Sequence, residues 1–477
     1  MFFWFVFLFL DSFKKRNRGR FLLLNKYFLA NRNINFIVMA LLFSSSYVSA
    51  SSFISGPSAV YKYGLSFILL ATIQIPTTLI VFIIVGQRLN LESKKIDAIN
   101  IIDYIRHRYE SDFLALMSGF VFIFFSMFLI SAQLIGGAKL IEVFWGIDYV
   151  VGLLFFTLLV FIYVFFGGFK AVAYTDLIQG FLMLVSSVIL FSKMLDLGGG
   201  IDNLFKTAMS SLDKSLLLPS NADLKPQYII SFWILIGIGI LGQPQIINNF
   251  IAFKDENAIK FSLPISTFII SFLIVLMHLI GFFAVILFPD LNPNDKVVLN
   301  VALKVLSPFS CFMFFMGLLS AILSTVDSNF LLMTSVLIKS IFIYKKDLKE
   351  NVKVRRVIMI SNIFFILIIF IFSLFPPNFL FFFNIFAFGA LEVSFFPIIV
   401  FGLYLNFVSK IAAFVSMLLG LIFYLCILFF DLNIWFFHPV FPAFFVSIFT
   451  FLTVNFFCKK IVRFVKDIFC VWISIFF

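Results

Sequence analysis

Two adjacent hydroxyls, Ser324 and Thr325, lie in the apolar run "SAILSTVDSN" (Ser320 to Asn329), with Ala321 one turn earlier on the side of Thr325. Hydroxyls and freed backbone carbonyls are neutral oxygen donors, suited to hold a hard cation such as Na⁺ and release it again. A second polar stretch, "LLFSSSYVSASSFISG" (Leu41 to Gly56), puts seven serines into another apolar segment. An unwound turn at Ser45–Val48 could supply carbonyls to the same ion. The alternative for both stretches is that Ser and Thr bond back to their own helix, as they often do in membranes.

The ionisable groups within apolar runs are few. Asp327 falls about one turn beyond Ser324, and Glu392 sits in "FAFGALEVSFFP". A carboxylate in such surroundings is a functional candidate, and Asp327 is a candidate for ion or proton coupling. His278 reads as a hydrogen-bonded structural residue, and His438 in "FHPVFP" as a loop or helix start. In "FFGGFKAVAYTDLIQG" (Phe165 to Gly180), Gly167 and Gly168 suit a helix exit and Thr175 or Asp176 the next N-cap. No nucleophile–base pair, phosphate loop or metal cluster occurs, which argues against an enzyme or an ATP-driven pump.

These residues need elements to hold them, and the composition says what kind. The chain has 477 residues, 62% hydrophobic and only 12% charged, about half the charge of an average soluble domain. Many runs exceed the roughly 20 apolar residues that cross a bilayer as a helix. The alternation of a membrane β-barrel is missing. The expectation is an all-α polytopic membrane protein. Its 76 phenylalanines stand where leucine would serve, and its four cysteines lack paired spacing.

Apolar spans are expected near 34–55, 64–86, 113–136, 150–167, 176–195, 227–251, 261–289, 308–343, 357–375, 378–406, 410–430 and 435–457. A shortened first span at Phe2–Leu10 brings the total to about thirteen. Threading them alternately places 26 Lys and Arg on one side and 8 on the other, with Lys339 near a helix end. The positive-inside rule then puts the N-terminus outside and the C-terminus in the cytoplasm, in the inner (plasma) membrane. The +12 net charge points to an anionic lipid surface and not to nucleic acid.

Two spans carry dense helix breakers: the serine stretch and "GIGILGQPQIINN" (Gly237 to Asn249). They are the first and sixth counted from 34–55. Interrupted helices in corresponding positions are the pattern of an inverted-repeat transporter with a binding site at the breaks. The simpler reading is close helix packing through small residues. The expected organisation is 1–33 shortened span and basic loop, 34–195 first repeat, 196–226 external loop, 227–406 second repeat, 407–457 peripheral spans and 458–477 cytoplasmic tail.

"YVFFGGFKA" (Tyr163 to Ala171), the following "TDLIQG" and "SAILST" resemble the sodium:solute symporter family over nearly the whole chain. "YVSASSFISGPSAVYKYGL", "QLIGGAKLIE", "FAFGALE" and "FHPVFP" are similar to stretches of its pantothenate-transporting branch. The resemblance implies a LeuT-like five-plus-five inverted repeat and Na⁺-coupled uptake of a small organic solute, with pantothenate as the leading candidate, by alternating access. A monomer is the expected state. It implies Na⁺ on the carbonyls of Ser45, Val48 and Ala321 and the hydroxyls of Ser324 and Thr325. It also implies substrate against Ser49, Ser52, Gln74, Gln133, the Gly242–Gln245 break (with Gln243, Pro244 and Gln245) and Glu392. Pantothenate members carry His and Arg where this chain has Gln245 and Asn249; proline symporters carry Asp where it has Tyr47. Asp327 replaces a residue usually neutral in the family. Transport of proline or another carboxylate, or a transporter-like sensor, are the alternatives.

Overall fold

The computed structural model describes residues 20–476 except 167, 221–223, 293–294, 343–350, 378–379, 431, 433 and 435–436. The short apolar run Phe2–Leu10 lies outside the described residues. All regular elements described are helical.

Helix α1 (Arg20–Leu29) leads into α2 (Phe36–Tyr47), which is capped by the Asn35 side chain on the Ile37 amide. The chain leaves α2 at Val48 in extended geometry, re-forms a π turn at Ser51–Ser55 and continues as α3 (Gly56–Tyr63). Next come α4 (Leu65–Lys95), the short α5 (Ile101–Tyr109), α6 (Asp112–Trp145), α7 (Tyr149–Phe166) and α8 (Phe169–Gly198). The second half opens with α9 (Pro226–Gly242) and α10 (Pro244–Ala252), a pair bent by 50°. It continues through α11 (Glu256–Leu287), α12 (Pro308–Ser340), α13 (Asn351–Ser373) and α14 (Leu380–Tyr404). Helices α15 (Lys410–Phe429) and α16 (Val440–Phe476) close the chain.

Eight described helices are long and apolar enough to cross a membrane, and bent pairs raise the number to ten. Two shorter apolar helices, Tyr149–Phe161 and Met359–Ser373, accompany them. The two expected breaks are both present. The first differs in detail: α2 stays helical through Tyr47, and the break lies at Val48–Ser49 instead of Ser45–Val48. Proline explains the second, since Pro244 has no amide to give the preceding turn and its fixed φ starts a new helix.

Two other boundaries also move. Helix α8 begins at Phe169 behind Gly168, so Thr175 and Asp176 are not its cap but lie in its second turn. Helix α6 runs on to Gly146 in left-handed geometry, which brings Lys139 inside a span and not into a loop. Long helices with no internal breaker simply continue, and short-range cues cannot place their ends.

Helix α2 packs against α8 and α11, and α8 packs against α12. Close approach relies on small residues where helices cross. At Gly281 in α11 an added Cβ would fall on the backbone of Pro57 in α3, and at Gly56 it would lie 3.1 Å from His278 Nε2. Backbone cannot yield as a side chain end can, so Gly281→Ala must push α3 away from α11. Its expected cost is about 1–3 kcal/mol, read as a lower unfolding temperature of the detergent-solubilised protein; an unchanged temperature would contradict the contact.

Candidate functional site: an ion cradle beside an amide-lined cavity

The departure of the chain at Val48 leaves α2 with carbonyls that its own helix cannot serve. Ser45 uses its carbonyl to accept from Ser324 Oγ of α12 at 2.9 Å, across 279 residues of sequence. Ser324 Oγ also lies 3.2 Å from Ala321 O, and Thr325 Oγ1 donates to the same carbonyl at 3.1 Å. Four of the five expected ion donors therefore form one continuous cluster: Ser45 O, Ala321 O, Ser324 Oγ and Thr325 Oγ1. Val48, the fifth, is fully buried at the C-cap of α2, where its backbone turns extended. The set is entirely neutral oxygen, which fits Na⁺ chemistry and not that of a soft metal. The two hydroxyls bond to the carbonyls of the same cluster.

Asp176 of α8 is the residue that sequence reasoning missed. It is wholly buried, lies against Ser45 and interacts electrostatically with Asp327 of α12. Asp327 is 2% exposed. Helix periodicity could have found Asp176, because the polar residues Thr175, Asp176 and Gln179 share one buried face of α8. Ser46 Oγ and Ser328 Oγ, 2.7 Å apart, add a second bridge between α2 and α12.

Next to this cluster is a cavity of about 910 Å³, its mouth included. Ser49, Ser52, Gln74, Gln133, Gln243 and Gln245 all line it, as expected from sequence. Ser46, Tyr47, Ser51, Thr325, Asn329 and Asn384 line it too and were not anticipated. Thr325 thus borders both the cavity and the ion cradle. Among the described lining residues His278 is the only one with an ionisable side chain apart from Tyr47. Its Nδ1 pairs with Ile274 O at 2.7 Å and its ring stacks on Phe67, in line with a structural role.

The amides are tied down individually. Gln133 Oε1 accepts from the Ala50 amide at 3.0 Å, so α6 supports the broken segment directly. Asn384 of α14 donates to Ser51 Oγ. Pro244 and Glu392 are not in the cavity wall. Pro244 starts α10 and is buried. Glu392 is fully buried behind Gln243, whose Nε2 donates to Glu392 Oε1 at 2.6 Å.

A buried ion pair ties α6 to the segment after α11. Lys139 Nζ of α6 lies 2.8 Å from Asp295 Oδ2, with side-chain exposures of 9% and 0%. Asp295 also accepts from Ser55 Oγ at 2.6 Å and from the Leu380 amide at 2.8 Å. Lys139 adds a bond to Pro377 O at 3.1 Å. One carboxylate thereby joins the turn before α3, helix α6, the segment after α11 and the start of α14.

Broken helices facing each other, an oxygen cradle at one break and a polar cavity beside it define a membrane-embedded secondary transporter of the inverted-repeat type. Its fold matches a Na⁺-coupled sialic acid symporter in a substrate-bound outward-open state (TM-score 0.78, 17% identity, 95% of each chain covered). It also matches Mhp1, a nucleobase-cation-symport-1 family transporter, in a closed conformation (TM-score 0.58, 13% identity, 92% of this chain and 94% of that one). The chain belongs to the sodium:solute symporter family, whose model matches residues 27–420. It is a Na⁺-coupled transporter and not an enzyme.

Its relatives include the sodium/pantothenate symporters of Haemophilus influenzae, 33% identical, and Escherichia coli, 32% identical. Each match covers 93% of this chain and 92% of the relative. The sodium/proline symporter 2 of Staphylococcus saprophyticus is 26% identical over 83% of this chain and 79% of its own length.

Proposed function

We propose that this transporter carries pantothenate into the cell together with Na⁺, which binds Ser45, Val48, Ala321, Ser324 and Thr325. The observation that supports the ion site is the bond from Ser324 Oγ to Ser45 O, which joins α12 to α2 where α2 breaks. An ion at that junction bridges the two repeats, and the cavity-lining Thr325 carries its effect to the substrate. Binding then favours the arrangement in which the cradle is closed, a population shift set by the differential affinity of Na⁺ for the two states.

Pantothenate is an anion with an amide and two hydroxyls. A cavity lined by amides and hydroxyls offers partners for each of these groups, and Na⁺ supplies the counter-charge that no lining side chain provides. Inward Na⁺ movement contributes about 2.3 kcal/mol per charge per 100 mV, besides its concentration gradient. The charge asymmetry of the loops supports an orientation with the N-terminus outside and the C-terminus in the cytoplasm. The 34–195 and 227–406 segments are the two repeats, with the last two helices peripheral.

The test is Na⁺-driven uptake by proteoliposomes of labelled pantothenate, proline and biotin. Pantothenate should accumulate only under an inward Na⁺ gradient, and excess unlabelled proline should not compete. Accumulation of proline without pantothenate would overturn the assignment.

A further inference from the structure

Glu392 raises a question that its position behind the cavity wall does not answer. It is fully buried in α14, and its Oε2 has no hydrogen-bond partner. It approaches α9 so closely that a Cβ at Gly239 would collide with Oε2. Its Oε1 accepts from Gln243 Nε2 at 2.6 Å, and Gln243 Oε1 accepts in turn from Gln245 Nε2 at 3.0 Å. Gln243 and Gln245 both line the central cavity. Gln245 also borders a second, smaller cavity with Phe28, Ile99, Asn249 and Ser328.

This relay has a fixed direction. Glu392 Oε1 accepts from Gln243, so the Gln243 amide turns its nitrogen toward Glu392. Its oxygen then faces Gln245 and requires a donor there, which uses the Gln245 nitrogen. What remains of Gln245 is its second N–H and Oε1, and Oε1 is buried and unpaired. An amide left to itself could present either end, whereas this one cannot.

We propose that Glu392 is a positioning residue, holding Gln245 through Gln243 so that the cavity offers an acceptor there and selects a substrate hydroxyl or amide N–H. A carboxylate brings no donor and would be repelled by that oxygen, so the charged end of the substrate points away from the α9–α10 break. This rests on the pantothenate reading and orients it: the hydroxyl-bearing end faces Gln245, and the carboxylate lies toward the other side of the cavity. The selectivity is physical, because an unpaired buried acceptor penalises any ligand that fails to satisfy it.

The relay is tested by competition against labelled pantothenate in proteoliposome uptake driven by an inward Na⁺ gradient. Competitors are pantothenate itself, analogues with either hydroxyl replaced by hydrogen, and the carboxamide analogue. In the wild-type protein one deoxy analogue should inhibit at least about tenfold more weakly than pantothenate. Gln245→Leu and Glu392→Ala should bring that ratio close to one. The double exchange Glu392→Gln with Gln243→Glu moves the carboxylate to position 243, where both neighbouring amides donate to it. Gln245 then keeps its direction, and the tenfold ratio should persist.

A ratio that survives Gln245→Leu and Glu392→Ala overturns the relay, as does its collapse in the double exchange while uptake continues. Should Glu392→Ala fail to fold, Gln245→Leu and the double exchange decide between the same outcomes. Absence of wild-type pantothenate uptake fails the substrate reading itself, whereas normal uptake with an unchanged ratio fails the relay alone.

Discussion

With alanine at both Ser324 and Thr325, uptake is expected to lose its activation by the Na⁺ concentrations that drive the parent protein. The two hydroxyls are the only side-chain donors in the proposed cradle, and one of them also holds Ser45 O in place. A hydrogen bond or ligand to a charged partner contributes about 1.5–3 kcal/mol, so losing two should raise the half-saturating Na⁺ concentration about 100-fold or more. The measurement is the Na⁺ activation curve of pantothenate uptake, alongside substrate counterflow at fixed Na⁺ on both sides. Ser324→Ala alone should lose more than Thr325→Ala, because only Ser324 bridges to α2. A double variant with an unshifted activation curve would remove these residues from the ion site, whatever happened to its maximal rate.

The second large effect is expected at the buried Lys139–Asp295 pair. Lys139→Met leaves the carboxylate of Asp295, with no exposure of its own, without its counter-charge. Breaking a buried pair on one side costs about 3–5 kcal/mol, much more than replacing both members. The unfolding temperature of the purified protein should fall sharply, and uptake with it. Lys139→Met combined with Asp295→Asn should recover most of the loss, since an uncharged amide can still serve Ser55 Oγ and the Leu380 amide. A single variant as stable as the parent, or a double variant no better than the single, would show that the pair does not hold these four segments together. Surface pairs such as Lys193–Asp196 form the contrast: their side chains are 51% and 69% exposed, and removing either should change stability by less than about 1 kcal/mol.

The two experiments separate two long-range ties. The oxygen cluster joins α2 to α12 and is the proposed Na⁺ site, whereas the Lys139–Asp295 pair joins α6 to the segments flanking α3 and α14. A defect in the first should appear in ion dependence, and one in the second in stability of the folded protein.

Much of this was legible before any coordinates. Period and length of apolar runs fix helices, because a bilayer leaves backbone groups no partner but their own helix. The spans expected at 227–251 and 308–343 match α9–α10 and α12 to within a few residues. The breaks were legible for the same reason: proline, glycine and clustered serine are locally incompatible with a continuous apolar helix. Ser324 and Thr325 stood out as adjacent hydroxyls, and the serine stretch as a source of carbonyls for the same ion.

Other features lay outside the reach of local sequence. Asp176 looked like a helix cap because an Asp near glycines usually is one; only the packing of α8 on α2 and α12 carries it to Ser45 and Asp327. Lys139 looked like a loop residue until Asp295, 156 positions away, supplied the partner that makes its burial tolerable. Glu392 looked like a substrate ligand, and the tertiary structure set it one side chain behind the wall. The sequence by itself determined the helices, their breaks and the oxygen chemistry of the cradle, because these depend on residues within a turn or two of each other. Which polar groups meet, which face the cavity and in what direction their hydrogen bonds run was decided only by the fold, since the decisive pairings, Ser45 with Ser324, Lys139 with Asp295 and Gln243 with Glu392, join residues a hundred or more positions apart.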